Sequence, residues 1–251
     1  MFRGVWQLAW LETKIFVREP LGLFGAVAVP VLLFVALERL GRTSGSPRRG
    51  ASAAVPVLSL ELPIIVAMLI ALSAVLSLVA IMAIYRESGI LKRLRATPLR
   101  PTTILTAHVM VKILFTAVSL ALMAAAGRRF GVAQPPETIV SFGVALAFCT
   151  VCIMSLGFLI ASVVPTARFA QPLGSLVLYP MLALSGLFVP VDAMPAPLQS
   201  LARLTPLTYA VSLLRGVWQG DGWGAHLGDA LVLVVMSAVF AMLSSRLFRW
   251  E

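Results

Sequence analysis

The sequence contains no asparagine, two cysteines and three lysines, and only 12% of its 251 residues are charged. Without asparagine there is no N-x-S/T acceptor for an N-linked glycan. No glycine is followed by lysine, so the chain has no GxxxxGK[ST] loop to cradle nucleotide phosphates. Cys149 and Cys152 have CxxC spacing, but both lie in an uncharged run with no histidine near in sequence. An i, i+3 pair within one helix is poorly placed for a disulfide, and the two read as small packing residues rather than a redox or metal pair. What fills the space left by charge is apolar: 60% of residues are hydrophobic and the mean hydropathy is +0.98. That balance belongs to a membrane protein. The net charge of +10 is scattered through short segments between apolar runs, so it reads as an orientation signal facing membrane lipid and water, with no nucleic-acid partner.

About 20 apolar residues are needed per helical crossing, and six runs meet the requirement. They are Leu21 to Leu37, Leu62 to Tyr85, Ile104 to Gly127, Thr138 to Val164, Phe169 to Val191 and Ala230 to Ser245. The expected fold class is therefore an all-α polytopic membrane protein with six transmembrane helices. An even number returns both termini to one side. With both termini cytoplasmic, eleven basic residues fall inside and eight outside, the cluster Arg39 to Arg49 running against the trend and reading as a solvated or headgroup loop. His108 and Lys112 lie in the first turns of the third run, where a lysine can snorkel to the headgroups. Residues 1–20 lack a small-residue cleavage pattern and do not read as a signal peptide. On a helical wheel Arg3, Gln7, Lys14 and Arg18 share one sector, while Phe2, Val5, Trp6, Ala9, Trp10, Phe16 and Val17 cover the opposite side. This is the make-up of an interfacial amphipathic helix.

Between the second and third runs stands RESGILKRLRATPLRPTTIL, residues 86–105. As a helix from Arg86 to Ala96 it places Ile90, Leu91 and Leu94 on one face together with Glu87, and Arg86, Lys92, Arg93 and Arg95 elsewhere. Such a helix is too short to cross a bilayer, and its apolar stripe with one carboxylate is available for docking. Thr97-Pro98 ends it, because the residue before proline is pushed out of helical geometry. Pro101, Thr102 and Thr103 then supply capping and first-turn chemistry for the next span.

A second unusual segment, residues 185–220, is apolar but punctuated by proline into pieces of about ten residues, each long enough to reach half-way through a bilayer. Two short helices are expected. Asp192 caps the first, with Pro195 in its opening turn; Thr205 and Pro206 form a cap and first-position pair for the second, and Gly216 or Gly220 terminates it.

The ESGILKRLRATPL block at 87–99, the LSGLFVPVDAMPAPLQSLARLTPLTYAVSLLRG block at 184–216 and the closing FRWE at 248–251 together resemble the permease of ABC-2 type ATP-binding-cassette exporters, in particular the drug-resistance-like branch. The resemblance runs the whole chain, so 1–251 is expected to be one transmembrane domain. Within it lie an interfacial helix at 1–20, a cytoplasmic coupling segment at 86–103 and an outer re-entrant segment at 190–225, between spans five and six. The resemblance implies that Glu87, Gly89, Ile90, Leu91, Leu94, Thr97 and Pro98 meet the ATPase partner, and that Asp192, Pro195, Thr205, Pro206 and Tyr209 belong to the outer helices. The family often has asparagine where Thr205 stands, and either residue can cap a helix. The implied assembly is a homodimer or heterodimer of related permeases in the plasma or inner membrane, with two copies of an ABC ATP-binding subunit. ATP and magnesium would then be held by those partners and no cofactor by this chain, in keeping with the missing phosphate loop.

Other classes remain open at this level. An ion-coupled transporter ordinarily needs titratable groups deep in the membrane, whereas Glu38, Glu61, Glu137, Asp192 and Asp229 fall at span ends. A lipid-processing enzyme needs a clustered nucleophile and base, yet His108 and His226 are expected at opposite sides. A non-transporting assembly factor is a further alternative. Phe24, Phe34, Phe142, Phe148, Tyr179 and Phe188 read as core aromatics, or else as the lining of a path for an apolar drug, a lipid or a glycan.

Overall fold

The computed structural model describes residues 2–18, 24–29, 31, 32, 35, 36, 39, 75–85, 87–89, 101–129, 136–164, 166–187 and 189–247. Within them the regular elements are helices: α1 (Phe2–Arg18), α2 (Val75–Tyr85), α3 (Pro101–Arg129), α4 (Pro136–Val163), α5 (Ala167–Leu184), α6 (Ala196–Ala202), α7 (Pro206–Gln219), α8 (Gly222–Ala225) and α9 (Leu227–Leu247). A π-helical turn spans Phe24–Ala28 and a 3-10 turn spans Val191–Ala193. Three stretches among the described residues are long and apolar enough to cross a membrane, namely Thr106–Arg129, Thr138–Val163 and Leu227–Leu247. They coincide with the third, fourth and sixth expected runs. The fifth run is shorter as a helix than expected: α5 stops at Leu184, where the Ser185 N–H bonds the Leu182 carbonyl and the chain turns. Residues 21–23, 30, 33, 34 and 37 of the first run and residues 62–74 of the second lie outside the described residues.

The core is built around α4. Its sequence is apolar around the whole circumference, which suits a helix enclosed on all sides. Phe142, Ala145, Leu146, Cys149, Ile153 and Leu156 are buried against neighbours contributed by α2, α7 and α9. Hydrophobic burial drives little association between helices in lipid, so close packing has to supply the attraction. Small residues make that packing possible: a methyl on Gly157 of α4 would lie 3.2 Å from Val75 Cγ1, and one on Gly174 of α5 would lie 3.0 Å from Leu76 Cδ2. Polar groups inside are satisfied locally, as where Thr150 Oγ1 donates to the Leu146 carbonyl at 2.7 Å. Across helices, Ser244 Oγ of α9 donates to the Phe158 carbonyl of α4 at 3.3 Å. Both cysteines are buried and free in this packing.

α9 packs along α4 on one side and turns Leu231, Val234, Val235 and Met242 outward. The aromatics divide. Phe142 is fully buried and meets Trp218 edge-on at 5.2 Å, and Phe148 packs against the core with Trp223 at 6.2 Å. Phe24 and Tyr179 instead point outward, contrary to a core role, because the turn at 24–28 and the α5 surface carrying Leu176 and Tyr179 have no helix over them among the described residues. Phe34 and Phe188 lie outside the described residues.

Candidate functional site

The first candidate region begins at the end of α2. Ser88 N–H and Ser88 Oγ both donate to the Ile84 carbonyl, at 2.9 and 2.7 Å, and Gly89 takes a left-handed φ of +69°. A glycine in that conformation ends a helix. The continuous helix expected over 86–96 is therefore interrupted at Gly89, two residues after Glu87. Ile90, Leu91, Leu94, Thr97 and Pro98 lie outside the described residues. α3 begins at Pro101, where proline's fixed φ and missing N–H are tolerated.

Beside this junction α1 lies along α3. Its expected apolar side is split between two environments. Ala9 and Phe16, with Leu8, pack on Ala107, Val111 and Phe115, whereas Trp6 and Trp10 stay 67% and 66% exposed, with Leu11 and Val17 outward beside them. On the packed stripe, four residues after Leu8 and four before Phe16, stands Glu12. Its Oε2 lies 3.5 Å from His108 Nδ1, and the other ring nitrogen lies 3.5 Å from Ser77 Oγ of α2. Glu12 Oε2 is buried without a hydrogen bond of good geometry. Lys112 is 6% exposed, so it does not snorkel; its Nζ sits 5.3 Å from the centre of the Phe16 ring, which in turn packs on Phe115 at 4.4 Å. The carboxylate and the ammonium balance each other's charge at a three-helix junction, where either alone would be costly to bury. Glu12 escaped the sequence reading, although a carboxylate centred in a Leu8–Glu12–Phe16 stripe was the available signal.

At the other end of the bundle the short helices of the 190–225 segment differ from expectation in how they are capped. Asp192 sits in the 3-10 turn and does not cap α6; Pro195 occupies the cap position. Proline cannot offer a side-chain acceptor, and the turn is instead held by Gln199, whose Nε2 donates to the Met194 and Asp192 carbonyls at 2.9 and 3.3 Å. Pro206 is the first residue of α7 with Thr205 before it, but Thr205 makes no side-chain cap bond. Its hydroxyl donates back to the Ala202 carbonyl at 2.9 Å and meets Thr208 Oγ1 at 2.8 Å. The two hydroxyls thus fasten the α6–α7 elbow. Tyr209 adds a bond from its hydroxyl to the Arg203 carbonyl at 2.8 Å.

Of the two candidate terminators of α7, Gly220 has the left-handed φ of +94°. Gly216 does something else. Its carbonyl accepts the Gly220 and Asp221 N–H groups, and its missing side chain makes room for the His226 ring. His226 Nδ1 lies 3.0 Å from Asp229 Oδ2 and Nε2 lies 3.8 Å from Asp221 Oδ2. Ser212 Oγ donates to the same Asp229 oxygen at 2.7 Å. The serine bonds the acid and not the imidazole, so this is not a nucleophile–base–acid relay. Trp223 of α8 donates to Ser141 Oγ of α4 at 3.0 Å, clipping the short helix to the core. Among the described residues no three His, Cys, Asp or Glu side chains converge as a metal site.

This arrangement has a family. The sequence pattern described as ABC-2 type transporter matches residues 3–218. The chain belongs to that family. Nodulation protein J of Rhizobium leguminosarum bv. viciae is 29% identical over 109 residues, which are 41% of this chain and 42% of the relative. Nodulation protein J of Rhizobium meliloti (strain 1021) is 28% identical over 107 residues, 41% of this chain and 40% of the relative. The match therefore spans less than half the length of these relatives. Within this ABC-2 type membrane protein the matched residues include Glu12, His108, Lys112 and Gly216, while His226 and Asp229 follow them.

Proposed function

We propose that this chain is the transmembrane permease subunit of an ATP-driven ABC exporter, energised by a separate ATPase. One observation carries the reading: a chain of the ABC-2 type transporter family has no phosphate-binding loop of its own. In this reading the chain crosses the plasma or inner membrane six times with both termini cytoplasmic. α1 rests at the cytoplasmic interface, and α6, α7 and α8 form a re-entrant outer segment between the fifth and sixth spans. α5, with 18 residues, reaches about 27 Å and is long enough to serve as the fifth crossing. Two permeases, identical or related, work with two ATP-binding subunits, which hold ATP and magnesium. The substrate class is hydrophobic or amphipathic, a drug, a lipid or a glycan-like molecule.

The segment 86–103 is the proposed contact with the ATPase. With Gly89 ending α2, the docking stripe consists of Ile90, Leu91 and Leu94, bounded by Thr97-Pro98, and Glu87 stands apart at the helix end. Leu94→Arg would place a charge in a desolvated contact at a cost of several kcal/mol, enough to remove most of the complex. Arg95→Glu lies outside the stripe and does less. Both variants are to be purified with the ATPase and compared for co-elution, ATP hydrolysis and transport, after insertion and dimerisation have been checked. Wild-type binding and transport by Leu94→Arg would remove the coupling assignment.

A second reading, ion-coupled transport, draws on one observation, the buried Glu12–His108 pair against a membrane helix. Transport in proteoliposomes that requires ATP and persists without an ion gradient decides against it.

A further inference from the structure

We propose that the outward face of α1 is a binding surface for anionic phospholipids. Against α3 the helix uses only one side, the stripe of Leu8, Ala9 and Phe16 that also carries Glu12. On the rest of its circumference the residues are sorted. At 3.6 residues per turn, Trp6, Trp10 and Val17 fall within about 40° of one another, and Lys14 and Arg18 follow within about 80° of that stripe's edge. All five are exposed. An aromatic and aliphatic stripe bordered by a basic one is the profile of a helix whose rings sit at headgroup depth while its cations reach lipid phosphates.

The sign of the charge selects the lipid. Glu12 is the only acid within α1, and it is turned to His108 on the packed side, so the charges on the outward face are all positive among the described residues. The placement of the helix agrees. Its packed side meets Ala107, Val111 and Phe115, in the first three turns of the apolar stretch Thr106–Arg129, which sets the outward face beside the end of an expected crossing. A zwitterionic surface would accept the tryptophans at the same depth but gives Lys14 and Arg18 no net attraction, whereas an anionic one favours each basic residue by about fivefold. This selectivity rests on the interfacial position of α1 in the proposed function and is independent of the transported substrate.

The test uses the full chain in nanodiscs of equimolar phosphatidylcholine and phosphatidylglycerol, one or the other brominated near the top of its acyl chains. Bromine quenches nearby tryptophan, and the difference between wild type and a Trp6→Phe/Trp10→Phe variant isolates the contribution of α1. Quenching is expected to report a local preference for phosphatidylglycerol of at least about threefold at about 0.05 M salt, falling toward none at about 0.5 M, where screening confines the attraction to a few ångströms. Lys14→Gln/Arg18→Gln alters two exposed side chains and should remove the preference while both lipids still quench. The salt series on the wild type carries the test if that variant folds poorly. Equal quenching by the two lipids at low salt, a preference indifferent to salt, or one that survives in Lys14→Gln/Arg18→Gln overturns the proposal and leaves the interfacial position of α1 standing. Quenching by neither lipid, as a protein covering this face would give, overturns both.

Discussion

Gly216→Ala sets two opposing effects against each other at one position. In an ordinary helix interior alanine is favoured over glycine by about 0.8–1.0 kcal/mol. Here the atoms nearest to an added methyl are Nε2, Cδ2 and Cε1 of His226, all too close to coexist with it. The ring must leave its seat, and its bond to the Asp229 carboxylate goes with it, a loss of about 1.5–3 kcal/mol for a hydrogen bond to a charged group. The contact with exposed Asp221 is left out of this sum because solvent screens it. The net expectation is destabilisation by about 0.5–2 kcal/mol. Removing the ring first should reverse the sign: in a His226→Ala background the methyl meets no imidazole, and Gly216→Ala should stabilise by up to about 1 kcal/mol. A double-mutant cycle from equilibrium unfolding in detergent measures the coupling. Equal effects of Gly216→Ala in both backgrounds would show that the ring and the glycine do not compete for the same space, and the reasoning would fail.

Two further outcomes follow from the other polar junctions. Glu12→Gln removes the carboxylate that balances buried Lys112 and should cost about 1–3 kcal/mol, while adding Lys112→Met should recover part of the loss; unfolding midpoints of the single and double variants check the sign. Thr205→Val removes one hydroxyl of the pair but leaves the Thr208 hydroxyl to donate to the same Ala202 carbonyl at 2.8 Å, so the cost should stay at about 1 kcal/mol and transport should fall alike for all substrates. Thr205→Ser keeps the donor and should behave as wild type; a change of substrate preference in Thr205→Val would instead make the elbow a binding element.

The helices of the core were legible because their signals are local and redundant. α4 and α9 are built on the long uncharged runs 138–164 and 230–245, and α7 announces itself by Thr205-Pro206 at one end and Gly220 at the other. What escaped the sequence depends on partners distant along the chain. Glu12 is an ordinary carboxylate until α3 brings His108 to it from 96 positions away, and Lys112 reads as a snorkelling lysine until α1 covers it. The expected caps of α6 and α7 failed for a nearer reason. Asp192 has the right chemistry but the 3-10 turn takes it out of position, and Thr205 has a better acceptor in the Ala202 carbonyl than any donor at the start of α7. At residue 89 a glycine can continue a helix or end it, and apolar spacing on its two sides carries no information about which.

The two prolines of α5 give the bundle an uneven elasticity. Pro172 and Pro180 have no N–H, so the Arg168 and Leu176 carbonyls receive no ladder bond from them. α4 has no proline beyond its first residue and is gripped from several sides. Flexing α5 at either joint breaks no backbone bond, whereas flexing α4 would break several and disturb every neighbour. α5 is therefore the helix that bends at less cost and α4 the stiffer one, although the two stand in the same bundle.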